Sequence, residues 1–381
     1  MTSVRRCCDA SDVSTVLVDD HGAPIAIATE FLTYVSLRGC SPNTVLAYAY
    51  DLAHLWRFFA VAGVSWDQLI PARAPELLAY LRSLQSSRRG SATGPVLATS
   101  GGEPSKTLSP RTVNRALAAV SAFYDWAILC SRLDGVNPIL RVAERSAMMA
   151  SDRHRPFLTG IARSPLSAKA LRVRTARRLP RPLDAEQVGK LLLQLRNRRD
   201  LAIVRLMLDG GLRPGEVLGL HLTDIAYGRR RLVVRCREDH PRGARSKSRI
   251  ERIVDLHEAV TLEAVSAYIM RERPTDARSP LLFLVGGRGP RREEPLSYAA
   301  LVRMFARACE RAAIRAPWVT PHALRHTHAT RMWEAGMREL TLQKRLGHAT
   351  IEATRLYTRV SDASVVAEYR RALGLGDAEV A

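Results

Sequence analysis

Six charged or reactive residues, spread over the second half of the chain, limit what the chain can fold into more than any other feature does. They are Arg213, Lys247, His322, Arg325, His348 and Tyr357. Three short motifs hold most of them: GLRPGEVLGL from Gly211, HALRHTHAT from His322, and LGH followed nine residues later by a tyrosine. Each motif is modest alone. Together and in this order they predict one site assembled from distant segments.

The residue types fit chemistry at a phosphodiester. Its negative charge repels nucleophiles, so an enzyme that uses no metal must supply cations and a proton donor. Arg213 and Arg325 would supply charge, because a guanidinium is always protonated and its planar fork of donors matches two phosphate oxygens. His322 and His348 would add hydrogen bonds to the same oxygens.

Tyr357 and Lys247 would complete that chemistry. A phenol with a pKa near ~10 can attack phosphorus and later leave again. An ammonium in a dry site can lose its proton near neutrality, whereas a guanidinium cannot, so Lys247 fits a general acid for the leaving 5′ oxygen. Only five of the 58 basic residues are lysines, and Lys247 is the only one between Arg213 and His322.

Simpler explanations exist for each residue taken alone. Arg213 precedes Pro214 and Glu216, which is typical of a surface arginine at a helix start. His322 and His326 lie four apart on one helical face, but no HExxH glutamate or cysteine accompanies them as a zinc partner. His326 and His328 fit packing or hydrogen bonding in that helix. Tyr357 is one of ten tyrosines.

Taken jointly, these motifs resemble those of the tyrosine recombinase family, also called phage integrases. The resemblance covers roughly residues 25 to 372. It implies a covalent 3′-phosphotyrosyl intermediate, strand exchange between two DNA sites in a homotetramer, and no metal or nucleotide cofactor. By position, Arg213, Lys247, His322, Arg325 and His348 look like the activating set and Tyr357 like the nucleophile. Glu216 falls where the family often has an acid that orients the first arginine.

The resemblance also implies a two-domain fold, with an all-α, SAM-like N-terminal domain and a mixed α/β, mainly helical catalytic domain. Beyond Tyr357 the sequence predicts a short helix from Ser361 to about Leu373, and in the family such a tail commonly docks on the neighbouring protomer. The expected divisions are a flexible N-terminal arm (1–24), a helical core DNA-binding domain (25–140), a basic interdomain linker (141–182), the catalytic domain (183–360) and the C-terminal helix and tail (361–381).

The connection that carries Lys247 departs from the compact members of the family. Arg213 and Lys247 are 34 positions apart, because the segment 235–249 is extended. Its RED and GARSKS stretches resemble recombinases encoded by Tn554-type transposons. The sequence predicts two strands, near 231–235 and 250–256, with Lys247 on a mobile hairpin tip between them.

Charge and hydropathy indicate the partner. A net charge of +21 with a pI near 10.6 predicts binding to a polyanion, and double-stranded DNA fits best.

No apolar run is long enough for a membrane span, and the first residues lack a signal-peptide pattern. We therefore expect a cytoplasmic protein that makes no membrane contact. The six cysteines have no CxxC spacing and are expected to be reduced.

Local patterns organise the first half of the chain. The sequences SPNT from Ser41 and SPRT from Ser109 each predict a capped helix start. Between the two helices, 86–108 reads as a flexible insertion. Residues 141–182 hold eleven basic residues against two acidic ones, which fits a solvated stretch or a segment that follows the DNA backbone.

The sequence thus predicts a site-specific DNA recombinase that integrates or transposes a mobile element. Three other functions stay open: Xer-like resolution of chromosome or plasmid dimers, a type IB topoisomerase activity, and a catalytically inactive DNA-binding accessory protein. An accessory or directionality protein is a possible further partner.

Overall fold

The structure is a computed structural model. It describes residues 2–9, 12–86, 107–143, 167–169, 171–175, 181–237, 240–244 and 251–347. The chain divides into two compact units, Met1–Arg177 and Arg178–Ala381. Each unit has its own cluster of buried apolar side chains. No helix within these described ranges is both long enough and apolar enough to cross a membrane.

Within its described residues, the first unit has four α-helices: α1 (Ala26–Leu37), α2 (Pro42–Ala62), α3 (Ala74–Ser83) and α4 (Pro110–Leu129). The two predicted capped starts are confirmed. The Ser41 hydroxyl accepts from the Thr44 backbone N–H at 3.2 Å, and the Ser109 hydroxyl accepts from the Thr112 N–H at the same distance. Each cap satisfies a donor that the helix itself leaves unpaired.

Phe123 lies at the centre of this helical core. It is fully buried on α4, and its ring contacts those of Phe31, Trp56, Trp66 and Tyr124 at centroid distances of 5.2–5.8 Å. All four pairs are edge-to-face, an arrangement that the quadrupole of aromatic rings favours. Aromatic packing around one residue therefore holds the first unit together.

The N-terminal arm is a correction to the expectation from sequence. Residues 1–24 were expected to be flexible, but β1 (Ser3–Asp9) and β2 (Asp12–Val18) pair as an antiparallel hairpin. Leu17 and Val18 are buried against the helices, and the Arg57 guanidinium donates to the Thr2 carbonyl at 2.8 Å. The β-branched residues of the second strand favour this structure, and burial of its end fixes the hairpin on the core.

The basic segment 141–182 is partly built into the first unit. Strands β3 (Arg141–Ala143) and β4 (Ser167–Lys169) pair antiparallel. Just beyond them, the Asn114 amide holds both backbone groups of Val173, donating to its carbonyl at 2.8 Å and accepting from its N–H at 2.9 Å. The rest of the segment up to residue 180 lies outside the described residues, apart from 171–175.

In the part that the structure describes, the second unit combines helices with a small sheet. Its helices are α5 (Ala185–Leu193), α6 (Arg198–Asp209), α7 (Pro214–Leu218), α8 (Ala259–Arg271), α9 (Tyr298–Arg311), α10 (Pro321–Glu334) and α11 (Glu339–Leu346). Its antiparallel sheet has the order β5 (Ile225–Ala226), β6 (Arg231–Val234), β7 (Arg252–Asp255).

The strand pair predicted around Lys247 is confirmed. Strand β6 pairs with β7 in a register that runs from Arg231 opposite Asp255 to Val234 opposite Arg252. Within the long connection, Ala244 is buried in the core of the second unit. The connection is therefore anchored three residues before Lys247, which itself lies outside the described residues.

Leu17→Ala tests whether the N-terminal hairpin contributes to the fold. Leu17 is 0% exposed, so truncation should leave a cavity and lower the free energy of unfolding by about 2–4 kcal/mol. Urea unfolding followed by circular dichroism measures this. His21→Ala, at an exposed position three residues after the hairpin, is the control and should change the free energy by less than about 0.5 kcal/mol. Equal stability of the two variants would mean that the arm is not part of the core.

Candidate active site

Arg213 stands at the start of α7, as its motif predicts. The backbone there is extended (φ −75°, ψ 151°), and Pro214 follows at the first helical position. Gly211, two residues earlier, has φ +63°. A Cβ on Gly211 would lie 2.5 Å from the His328 ring, so only glycine fits this turn. The GLRPGE sequence thus places the arginine by a tight turn followed by a helix start.

Glu216 is the common ion-pair partner of three arginines. Its carboxylate is fully buried and accepts from the Arg213 guanidinium at 2.7 Å and from the Arg213 backbone N–H at 2.8 Å. Arg252 donates to both carboxylate oxygens, at 2.7 and 3.0 Å. Arg325 reaches one of these oxygens at 3.7 Å. Three cations therefore surround one anion, which leaves an excess of positive charge.

That arrangement controls the ionisation of Glu216. Burial alone would raise the pKa of the carboxyl group. The hydrogen bond from Arg252 and the charges of Arg252, Arg325 and Arg213 outweigh burial and lower the pKa to about 2. Glu216 is consequently ionised at neutral pH and holds Arg213 by charge as well as by geometry.

Arg325 joins two parts of the backbone. It lies on α10, almost completely buried, and donates from Nη1 to the Gly211 carbonyl and from Nη2 to the Leu346 carbonyl, each at 2.6 Å. The first carbonyl belongs to the turn before Arg213, and the second to the last residue of α11. The structure therefore brings the GLR and HALR motifs together, as their order predicts.

The LGH motif supplies a further contact to the Arg213 side chain. Helix α11 ends at Leu346, and Gly347 follows in the left-handed conformation with φ +64°. The Gly347 carbonyl accepts from Arg213 Nη2 at 3.3 Å. Gly347 therefore terminates the helix, and the residue that follows it is His348. His348, Tyr357 and Lys247 lie outside the described residues.

The three histidines of α10 differ in their surroundings. His322 is exposed in the first turn of the helix. His326 is half-buried, and burial lowers its pKa to about 4. His328 is buried, with Nδ1 2.7 Å from the Leu208 carbonyl and Nε2 accepting from Arg345 at 3.0 Å. These two bonds assign the proton to Nδ1 and confirm a hydrogen-bonding role for His328.

Arg252 and Arg345 were missed at the sequence level. Arg252 lies on the inward face of β7 beside Val254, and Arg345 donates to the Asp255 and Asp209 carbonyls as well as to His328. The available signal was the alternation of RIVD, which puts a charged residue on the same face as a buried valine. A buried arginine needs partners, so that position indicated a polar network.

The described site carries more guanidinium groups than carboxylates. Among the described residues, the Arg213 side chain donates to Glu216 and Gly347, which engages two of its five N–H groups. Arg213 is also the most exposed of the three arginines, at 18% of its side chain against 5% for Arg252 and 3% for Arg325. Arg213 is therefore the most accessible of the three guanidinium groups around Glu216.

Comparison with known proteins agrees with this arrangement. The family model described as "Phage integrase family" matches residues 181–364, and the model "Phage integrase, N-terminal SAM-like domain" matches residues 28–129. The two models fall in the second and first units respectively. The chain belongs to the phage integrase family of tyrosine recombinases, which confirms the predicted family and fold class.

Relatives match over nearly the whole chain. Transposase A from transposon Tn554 of Staphylococcus aureus is 26% identical over 94% of this chain and 94% of its own. Tyrosine recombinase XerC of Mycobacterium tuberculosis is 29% identical over 91% of this chain and 98% of its own.

Solved structures show the same fold. The Tn1549 transposon integrase in complex with a circular intermediate DNA gives a TM-score of 0.60 at 20% identity, covering 91% of this chain and 99% of that one. A lambda integrase dimer bound to a COC′ core site gives 0.55 at 15% identity, covering 88% and 94%.

The ionisation of Glu216 predicts a pH dependence of stability. Since the pKa falls from an ordinary value of 4.5 to about 2 on folding, the charged carboxylate stabilises the chain above the ordinary pKa, and this contribution is lost as the pH falls toward 2. We expect Glu216→Gln to lower the free energy of unfolding at pH 7 by about 3 kcal/mol, at 1.36 kcal/mol per pKa unit. The difference should shrink as the pH is lowered.

Urea unfolding of both chains between about pH 7 and pH 2 measures this difference. Glu76→Gln, which removes an exposed partner of Arg73, is the matched control and should cost less than about 1 kcal/mol at any pH. A Glu216→Gln deficit that does not change with pH would contradict the assignment.

Proposed function

We propose that this protein is a site-specific DNA recombinase that cleaves and rejoins DNA through a covalent 3′-phosphotyrosine on Tyr357. The observation that supports this most directly is the convergence of Arg213 and Arg325 on Glu216 and on the turn that precedes His348. A neutral or acidic pocket would not favour a phosphodiester there. An excess of fixed guanidinium charge does.

The proposed reaction assigns one task to each residue of the motif. The Tyr357 hydroxyl loses its proton to the surrounding water as its oxygen attacks the scissile phosphorus, and the bond from phosphorus to the 5′ oxygen breaks. Lys247 gives its proton to that departing oxygen. Arg213, Arg325, His322 and His348 stabilise the charge on the non-bridging oxygens, which is greatest in the pentavalent transition state. Attack of a 5′ hydroxyl on the phosphotyrosine reverses these steps and restores the phosphodiester without a nucleotide cofactor.

The partner in this proposal is double-stranded DNA, bound largely through its phosphates. The net charge of +21 supports it, as do the exposed side chains of Arg172 and Arg174 on the segment that Asn114 fixes to α4. Binding of this kind releases counterions and should weaken steeply with salt. We propose that the protein acts in the cytoplasm as a homotetramer on two DNA sites, with an accessory protein as a further possible partner.

Movement of a mobile element is the role that the relatives favour. The relative from Staphylococcus aureus is a transposase of transposon Tn554, and the long connection before Lys247 is the feature that resembled this type. The XerC relative keeps resolution of chromosome or plasmid dimers as the second candidate. A topoisomerase activity would instead relax any supercoiled plasmid and give no recombinant products.

Covalent trapping tests the nucleophile. The protein is incubated with nicked duplexes from the ends of its own element, denatured in SDS, and compared with Tyr357→Phe. We expect a protein–DNA adduct that requires the Tyr357 hydroxyl, with DNA binding within about threefold in the variant. Tyr227→Phe, a half-exposed tyrosine of the second unit, is the control and should form the adduct. An adduct that persists in Tyr357→Phe would place the nucleophile elsewhere.

A modified leaving group tests Lys247. With a sulfur in place of the bridging 5′ oxygen, the leaving thiolate needs no proton, since a thiol has a pKa near ~8.5. We expect Lys247→Ala to slow adduct formation on ordinary DNA by about 10²–10⁴-fold and to recover most of that loss on the sulfur-containing DNA. Lys190→Ala, at an exposed helix position, is the matched control. An equal loss on both substrates would exclude the general-acid role.

A further inference from the structure

Arg252 makes polar contacts with two separate parts of the site. Its guanidinium donates to both oxygens of Glu216, at 3.0 and 2.7 Å, and its Nε donates to the Arg345 carbonyl at 2.9 Å. Only 5% of its side chain is exposed. Arg252 is thus almost completely buried, and all the hydrogen bonds it donates within the described residues go to Glu216 and the Arg345 carbonyl.

The first of these contacts determines how Glu216 meets Arg213. The two parallel hydrogen bonds from Arg252 fix the plane of the carboxylate, because a guanidinium and a carboxylate match only when coplanar. The oxygen Oε1 that accepts from Arg252 Nη1 also accepts from Arg213 Nη1. Arg252 also neutralises Glu216, so that the charge of Arg213 is left available for a phosphate.

The second contact determines the position of Gly347. The Nε bond to the Arg345 carbonyl holds the last turn of α11, and a Cβ on Gly347 would lie 2.8 Å from Arg252 Nη1. The chain therefore passes directly against the guanidinium. Since the Gly347 carbonyl accepts from Arg213, Arg252 sets the positions of both groups that hold the Arg213 side chain.

We propose that Arg252 is a positioning residue for DNA cleavage, which acts through Glu216 and Gly347 to hold Arg213 against the scissile phosphate. This rests on the proposed function. It predicts that loss of Arg252 slows the covalent step and leaves DNA affinity nearly unchanged. The loss of cleavage rate should be larger on DNA whose scissile phosphate carries the negative charge that Arg213 stabilises than on DNA that lacks this charge.

The test measures the rate of adduct formation by Arg252→Gln on two duplexes. One carries an ordinary scissile phosphate, and the other a methylphosphonate, in which a methyl group replaces a charged non-bridging oxygen. On ordinary DNA we expect a loss of about 10–100-fold, somewhat below the cost of removing a direct oxyanion donor. On the methylphosphonate the variant and the original chain should differ by less than about threefold. DNA affinity should stay within about threefold.

Arg273→Gln is the matched control. Arg273 is a buried arginine of the same unit that donates to the carbonyls of Ser279, Leu281 and Leu282, away from Glu216. Its replacement should lower Tm and leave unchanged the ratio of rates on the two substrates. If Arg252→Gln behaves in this way, with equal losses on both duplexes, the residue is structural and the proposal is overturned.

A second variant and a measurement on the original chain complete the test. If Arg252→Gln does not fold, Arg252→Lys, which keeps the charge and loses the paired hydrogen bonds, must show the same substrate-dependent loss to a smaller degree. Its failure to do so would overturn the proposal. The original chain is measured alongside, because absence of a Tyr357-dependent adduct there would refute the proposed function itself and would not bear on Arg252.

Discussion

The buried carboxylate of Glu216 is the interaction on which the rest of the site depends. An ionised group out of water is costly unless charges and hydrogen bonds compensate it. Here the compensation comes from three separate elements: the start of α7, strand β7 and helix α10. These elements cannot separate without leaving a buried charge unpaired. Packing of these three elements therefore brings the guanidinium groups together around Glu216.

The first unit shows what happens when compensation is weaker. Asp51 is also fully buried, but its ion-pair partner at 2.9 Å is Arg115, a half-exposed side chain. Burial then prevails and raises the pKa of Asp51 to about 7. Glu216, with a bidentate buried partner and two further cations, has its pKa lowered to about 2. The number and burial of the cations, more than burial of the acid, decide the ionisation state.

The sequence predicted those features that short-range patterns encode. The caps at Ser41 and Ser109, the strands around Lys247 and the convergence of Arg213 with Arg325 follow from local signals and from motif order. The hairpin at the N-terminus and the role of Arg252 were missed. Both depend on what another part of the chain offers: a helical surface that buries Leu17, and a carboxylate that pairs with an inward arginine. Such tertiary effects override local propensity.

Backbone carbonyl groups help to hold Arg213 and Arg325 in place. Arg325 uses one N–H of each terminal nitrogen on the Gly211 and Leu346 carbonyls, and Arg213 uses one on Gly347. Each guanidinium is thus held by backbone carbonyls of the Gly211 turn or of the C-terminal end of α11. Fixed cations need little reorganisation when negative charge develops beside them. The glycines at 211 and 347 permit this arrangement, because a Cβ at either position would collide with a side chain of the same network. Glycine at positions 211 and 347 is therefore as necessary to this arrangement as the arginines are.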